Sequence, residues 1–277
     1  MSGYHWLASY PKSGNTWLRL ALSSLARGGA PPDFAAEDRF APIASDRTAF
    51  DLLLDVDSAD LTDDEAEALR PRFHEIDAGR YAEPQLRKVH DAWTRTPAGE
   101  PLFPPALTLG AVYLVRDPRD VAVSLAHHLG IDLDRTIAFM GRADAALAMG
   151  GRGGVPQLRQ RLLTWSAHVR SWLDAPAPPL LLRYEDMLAD PAATLARAAR
   201  HLGRAAAPEA VARAAAATRF EALRAAEARH GFAERPKTAG RFFRRGIAGG
   251  WRDTLTPAQA ARIEADHGGV MADLGYR

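Results

Sequence analysis

Five consecutive residues, Lys12-Ser13-Gly14-Asn15-Thr16, bring together a mobile cation, two hydroxyls and a glycine. An apolar run ends at Tyr10, Pro11 and Gly14 interrupt it, and Trp17, Leu20, Ala21 and Ser24 then recur at helical spacing. That reads as strand, tight loop, helix. The unpaired N–H groups and positive dipole end of a helix start attract an anion. Gly14 lets the backbone approach closely, so the loop suits a phosphate or a sulfate. Lys88 and His90 alternate onto one strand face, where an imidazole can move a proton near neutrality. The same pair also fits a solvated edge strand. Arg116 follows a buried strand and precedes Asp117-Pro118, a helix-opening pair, which makes a second anion site. Asp120 and Ser124 lie one turn apart on the helix that follows. Gly240-Arg241-Phe242-Phe243-Arg244-Arg245-Gly246 is basic, aromatic and loop-like. It fits a solvated surface loop, and it also fits an adenosine bearing an extra phosphate, through guanidinium forks and ring stacking.

Holding these groups calls for an α/β scaffold. Met1 to Tyr10 reads as the first strand, Leu86 to His90 as the second, and Ala111-Val112-Tyr113-Leu114-Val115 as a strand buried on both faces. Leu180 to Tyr184 reads as a further strand. Helices are expected from Asn15 to about Arg27, from Asp63, from Pro118 to Leu129, over 131–140, over 157–173, from Asp190-Pro191 to Gly203, and over 208–217. Thr62/Glu65 and Thr256/Gln259 are capping boxes that open two helices. Pro71 is expected to kink or end the first of these. Residues 34–60 are acidic with no clean period, and residues 141–156 read as a mobile loop. In open α/β sheets ligands sit at the C-terminal strand ends. Asp91-Ala92-Trp93 leaves the second strand at that end.

The loop departs from the nucleotide-triphosphate pattern G-x-x-x-x-G-K-[ST]: the first glycine is missing and Lys12 precedes Gly14. Tyr10-Pro11-Lys12-Ser13-Gly14-Asn15-Thr16-Trp17 instead resembles the 5′-phosphosulfate loop of sulfotransferases that use 3′-phosphoadenosine-5′-phosphosulfate (PAPS). Four more pieces resemble that family in the same order: Lys88-Val89-His90, Arg116 to Ser124, Tyr184-Glu185-Asp186-Met187, and Phe242 to Trp251. Together they cover nearly the full length. The resemblance implies one domain over residues 1–277, with a central parallel sheet flanked by helices in a P-loop-like fold. It implies a cytosolic-type, bacterial enzyme that moves a sulfuryl group from PAPS to a hydroxyl or amine of a small-molecule, natural-product or lipid acceptor. The product is adenosine 3′,5′-bisphosphate (PAP), and no metal is needed.

The residue roles follow from the same resemblance. Lys12, Ser13, Gly14, Asn15 and Thr16 match the 5′-phosphosulfate loop, and Trp17 the residue stacking near adenine. Arg116 and Ser124 match ligands of the 3′-phosphate; Tyr184 and Thr218 match residues near adenine. Phe243, Arg244, Arg245 and Gly246 match the second 3′-phosphate segment. His90 matches the catalytic base and Lys88 its neighbour. Lys12 is implied to meet charge developing on the leaving phosphate, with Ser124 holding Lys12 away until acceptor arrives. Departures are Asn15 where a Thr is usual, Val89 where a Thr or Ser is usual, Arg245 for Lys, Gly250 for Asp, and Arg219 after Thr218. The family's dimer segment near the C-terminus is poorly kept, so monomer and homodimer both stay open. Two other readings of the loop also stand: a magnesium-dependent phosphoryl-transfer enzyme using Asp186, and a non-catalytic binder of adenosine bisphosphate.

Composition narrows the rest. The 277 residues are 47% hydrophobic and 25% charged, ordinary for a globular chain with a sizeable core. Net charge is +1, which argues against general nucleic-acid or membrane-surface binding. There is no cysteine, so disulfides, thiolate metal sites and cysteine nucleophiles are excluded. The apolar run after Trp17 carries Arg19 and is too short to span a bilayer. Nothing before it looks like a secretion signal, so the expectation is a soluble cytoplasmic protein.

Overall fold

A computed structural model describes residues 2–32, 34, 40–150, 156–235 and 240–277. In chain order the elements are β1 (Tyr4–Ser9), α1 (Asn15–Ala26), α2 (Arg47–Leu54), α3 (Asp63–Gly79), β2 (Gln85–Val89), β3 (Thr108–Val115), α4 (Pro118–Leu129) and α5 (Leu133–Met140). Then come β4 (Ala146–Leu147), β5 (Gln160–Arg161), α6 (Trp165–Leu173), β6 (Leu180–Arg183), α7 (Tyr184–Ala189), α8 (Pro191–His201), α9 (Pro208–Ala217), α10 (Phe220–His230) and α11 (Pro257–Asp273). The main sheet runs β2-β1-β3-β6. Strands β1 and β2 pair in parallel, from Tyr4 opposite Gln85 to Ala8 opposite Val89.

The chain divides into two compact units. The first comprises residues 1–10, 41–113 and 141–180. Its interior is aromatic: Trp6, Phe103, Tyr113 and Trp172 are fully buried, with Trp6 and Phe103 centroids 5.0 Å apart and Phe103 and Trp172 5.5 Å apart. A second cluster joins Phe50 of α2 to Ala66 and Phe73 of α3. Burying each phenylalanine contributes about 1.5–3 kcal/mol. Thr62 caps α3, with Glu65 closing the box.

The second unit comprises residues 11–40, 114–140 and 181–277. Helix α1 packs on α9, and α8 on α9. Leu20, Leu223 and Phe243 are buried together, with Trp17, Phe34, Phe220, Phe232 and Phe242 packed around them. Asp117 caps α4, Pro118 sits in its first turn and Gly130 closes it in the left-handed conformation, as the sequence reads.

Four expectations need correction. Helix α3 continues through Pro71 to Gly79. Its neighbours Arg70 and Phe73 are buried, and that packing outweighs the lost bond. The helix expected over 157–173 starts only at Trp165. Leu163 takes φ +58° and Thr164 caps the helix through the Ala167 N–H, while Gln160 and Arg161 pair with β4. Tyr184 opens α7 rather than ending β6. The expected loop over 141–156 contains β4, and its residues 151–155 lie outside the described ones, as do 35–39 of the acidic stretch.

Candidate functional site

In the second unit the loop after Tyr10 is shaped by two left-handed residues, Lys12 at φ +69° and Gly14 at φ +103°. Left-handed backbone is uncommon for a lysine and is held here by its surroundings. Gly14 is the N-cap of α1 and, having no side chain, makes no capping hydrogen bond of its own. A Cβ on Gly14 would lie 2.8 Å from the Tyr184 ring, so only glycine fits. Ser13 is fully buried, and its hydroxyl has no partner among the described residues. A buried hydroxyl without a partner costs about 1–3 kcal/mol, and a bound oxygen would relieve that cost. The first turn of α1 adds Asn15 and Thr16, both buried.

Side chains from several elements close on this loop. Arg116, after β3, lays its guanidinium 4.1 Å from the Tyr184 ring centroid. It donates to the Lys12 carbonyl (3.3 Å) and the Ile247 carbonyl (2.9 Å). Its buried Nε has no partner among the described residues. Trp17 donates from Nε1 to the Thr218 carbonyl (2.8 Å) and meets the Tyr184 ring edge-on at 5.8 Å. Trp17, Tyr184 and Thr218 thus come together. The Lys12 ammonium lies 4.3 Å from the centroid of the Phe242 ring.

The basic segment is pinned by two carboxylates the sequence reading did not assign. Glu227 of α10 accepts from the Phe242 N–H (2.6 Å) and the Phe243 N–H (3.0 Å). Asp120 of α4 accepts from the Gly249 N–H (2.6 Å) and the Trp251 N–H (2.9 Å). Arg244 is half-buried, and burial first, then Arg245 and Arg116, pushes its pKa down. Cations gathered so that they repel one another make a strong anion trap. Arg245 turns toward Asp253, 3.4 Å away. Gly246 has φ +63°, and a Cβ there would collide with the Phe220 ring at 2.2 Å. Ser124 is half-buried on α4, one turn after Asp120. Thr16 donates to Glu234 (2.9 Å), which also pairs with Arg19 of α1. Sequence gives no signal for Glu234, whose partners lie some 215 residues earlier.

The proton-moving pair lies in the first unit. Lys88 and His90 are half-buried at the end of β2. The Lys88 backbone bonds on both sides to residues 42 and 44. His90 Nδ1 lies 3.0 Å from the Ser9 carbonyl and 3.4 Å from the Ser9 hydroxyl. A carbonyl only accepts, so Nδ1 carries the proton and Nε2 the lone pair of the neutral ring. That tautomer can take up a proton at Nε2. Next to it, Asp91 and Arg70 form a buried two-pronged ion pair at 2.7 and 2.9 Å.

Asp186 is exposed and lies 4.0 Å from Arg183. Among the described residues no group of three His, Asp or Glu could hold a metal. Among them, too, no helix is long and apolar enough to cross a membrane.

The family described as "Sulfotransferase domain" matches residues 4–275. Over 175 residues the chain is 28% identical to Sulfotransferase 1A1 of Canis lupus familiaris, a stretch covering 59% of this chain and 55% of that relative. The chain therefore spans little more than half the length of that curated relative. Mouse sulfotransferase SULT7A1 complexed with PAP is similar at a TM-score of 0.62 and 20% identity, over 100% of this chain and 88% of that one. Retinol dehydratase in complex with androsterone and inactive cofactor PAP gives 0.59 and 21%, over 98% and 81%. These likenesses agree with an α/β fold whose central parallel sheet is flanked by helices. With nearly every residue inside the family match, the chain belongs to the sulfotransferases.

Proposed function

We propose that this chain is a PAPS-dependent sulfotransferase acting on a hydroxyl or amine of a small-molecule acceptor. The observation that carries the reading is the loop itself: a tight turn at a helix start whose N-cap is a glycine, with the Ser13 hydroxyl buried and unpartnered among the described residues. Such a cradle fits the 5′-phosphosulfate. Arg116 and Arg244, which repel each other, fit the 3′-phosphate, with Ser124 beside them on α4. Trp17, Tyr184 and Thr218 fit the adenine. Both solved neighbours are complexes with PAP. Gly246 and Phe243 supply the backbone and packing that hold Arg244 in place, while Arg245 steadies the segment through Asp253. The family match from residue 4 to 275 supports one domain over 1–277.

PAPS supplies an activated sulfuryl group on a good leaving phosphate. The residues of this chain do the rest. His90 takes the acceptor's proton at Nε2, the nitrogen that the Ser9 carbonyl leaves as the proton acceptor. When bound, PAPS would give its sulfuryl group to the acceptor oxygen or nitrogen, the bond from sulfur to the phosphate oxygen breaking with its electron pair on the leaving PAP. Lys12 places its ammonium where charge develops on the leaving phosphate. Lys88, on the same strand face as His90, adds positive charge beside the acceptor. Ser124 restrains Lys12 until the acceptor is present. A cytoplasmic enzyme, monomer or homodimer, that binds neither nucleic acid nor membrane is the setting we infer from the balanced charge and the poorly kept dimer segment.

A cofactor with two phosphate sites separates this reading from simple adenine-nucleotide binding. PAP is expected to raise the melting temperature far more than 5′-AMP at equal concentration, since only PAP reaches both Ser13 and Arg116. Equal shifts from the two nucleotides refute the two-site assignment.

A further inference from the structure

The carbonyls of residues 90 and 91 lie beyond the β1–β2 ladder, which ends at Ala8 opposite Val89. Buried carbonyls outside a ladder need donors from elsewhere. Helix α6 provides both. His168 Nε2 lies 3.0 Å from the His90 carbonyl, and one turn later Trp172 Nε1 donates to the Asp91 carbonyl at 2.9 Å. His168 is wholly buried. Its Nδ1 lies 2.8 Å from the Tyr113 hydroxyl. Only one tautomer satisfies these contacts: Nε2–H donates to the carbonyl, and Nδ1 accepts from the tyrosine. The Tyr10 ring meets His168 edge-on at 5.3 Å. Burial lowers the His168 pKa to about 4, so the ring stays neutral at physiological pH.

We propose that His168, oriented by Tyr113, is a positioning residue for the proton transfer at His90. The inference rests on reading His90 as the proton acceptor. Two consecutive carbonyls gripped from one helix fix the backbone from which the His90 ring projects. The ring's far side is fixed by Ser9. His168 touches neither acceptor nor cofactor in this scheme; by holding the backbone it keeps the ring where the Ser9 carbonyl fixes the proton on Nδ1, and so sets where His90 Nε2 points. Displacement of a reacting group by about 1 Å can cost on the order of 10²-fold in rate.

The first readout is independent of turnover. Nitrogen-15 spectra of the imidazoles are expected to show His90 protonated at Nδ1 in the parent chain. His168→Ala is expected to give mixed tautomers, and His168→Gln, whose amide can still donate to the carbonyl, to restore the parent signature. Unchanged His90 resonances in His168→Ala overturn the proposal. The second readout is a double-mutant cycle on labelled PAPS, with a phenol or water as acceptor. His168→Ala is expected to slow transfer by about 10- to 100-fold with PAP affinity unchanged, yet to add less than about two-fold in a His90→Ala background. An equal loss in both backgrounds marks a general structural defect and refutes the positioning role. A crippled His90→Ala beside a fully active His168→Ala refutes this inference alone. A fully active His90→Ala refutes the reading of His90 itself and this inference with it. If His168→Ala fails to fold, Tyr113→Phe, which removes only a hydroxyl, carries the same spectra and the same cycle.

Discussion

The anion loop and the strand end at His90 achieve order by opposite means. The loop is made almost wholly of neighbours in sequence: Lys12 and Gly14 in left-handed conformation, a helix start with glycine as its N-cap, and a serine hydroxyl without a partner among the described residues. Its unmet polar groups fit an anion. The His90 end is met on every side described: Ser9 from β1, His168 and Trp172 from α6, and Arg70 of α3 on the adjoining Asp91. One region holds binding capacity in reserve, and the other fixes a geometry. A region of the first kind should lose affinity when mutated. A region of the second kind should lose rate or stability.

The sharpest test of that contrast sets His90→Ala against Lys12→Ala. His90→Ala is expected to leave PAP affinity nearly unchanged while single-turnover transfer falls on the order of 10²- to 10⁴-fold, the span for a lost general base. Lys12→Ala is expected to lower both, because its charge meets the bound cofactor before and during transfer. Calorimetry with PAP and rapid-quench transfer decide it. Loss of PAP affinity in His90→Ala equal to that in Lys12→Ala breaks the comparison.

Stability should report next. Asp91→Ala strands the Arg70 guanidinium in the interior and is expected to cost about 3–5 kcal/mol in urea unfolding. A loss under 1 kcal/mol would show the buried pair to be dispensable. Arg116→Ala belongs to the other class. It is expected to weaken PAP by about 1.5–3 kcal/mol, the worth of charge-assisted hydrogen bonds, with little change in the melting temperature of the unliganded chain.

The smallest expected effect is a pH slope. Burial holds His168 and His267 near pKa 4 and depresses His74 as well, with Arg70 and Arg87 adding to its shift. In the unfolded chain these rings bind protons from about pH 6.5 downward. The unfolded state therefore carries more protons between about pH 6.5 and 4, and stability falls as pH falls through that window. Each ring contributes up to about 1.4 kcal/mol per pH unit. Urea midpoints at pH 7 and pH 5 should separate, and the gap should narrow in His168→Gln.

What the sequence discloses follows the same division. Pro11, Gly14 and the spacing of Trp17, Leu20 and Ser24 state the loop and α1 within fifteen residues. Thr62/Glu65 and Thr256/Gln259 announce their helices because a capping box is local chemistry. The start of α6 is hidden in the sequence because Leu162, Trp165, Val169 and Trp172 keep a helical period across a break. That break is set by the left-handed backbone at Leu163 and by Asp91 accepting from the Arg161 N–H. Helix α10 has Leu223 as its one large buried aliphatic side chain, too sparse a stripe to read. Asp120 reads in the sequence only as a neighbour of Ser124, since its partners Gly249 and Trp251 lie about 130 residues away. Arg70 and His168 reach Asp91 and His90 across long stretches of chain, and no local rule points to such pairs.

The two oxygens of Asp120 take the N–H groups of residues 249 and 251, and the Phe220 ring leaves no room for a side chain at 246. Between these two fixed points the backbone has one permissible contour length. Residues 246–251 thus act as a gauge. Adding or deleting a single residue there would take one N–H out of reach of its oxygen and drag Arg244 and Ile247 with it. Loop grafting or circular permutation that keeps this spacing can move the chain's ends elsewhere; one that alters it cannot preserve the cation pair.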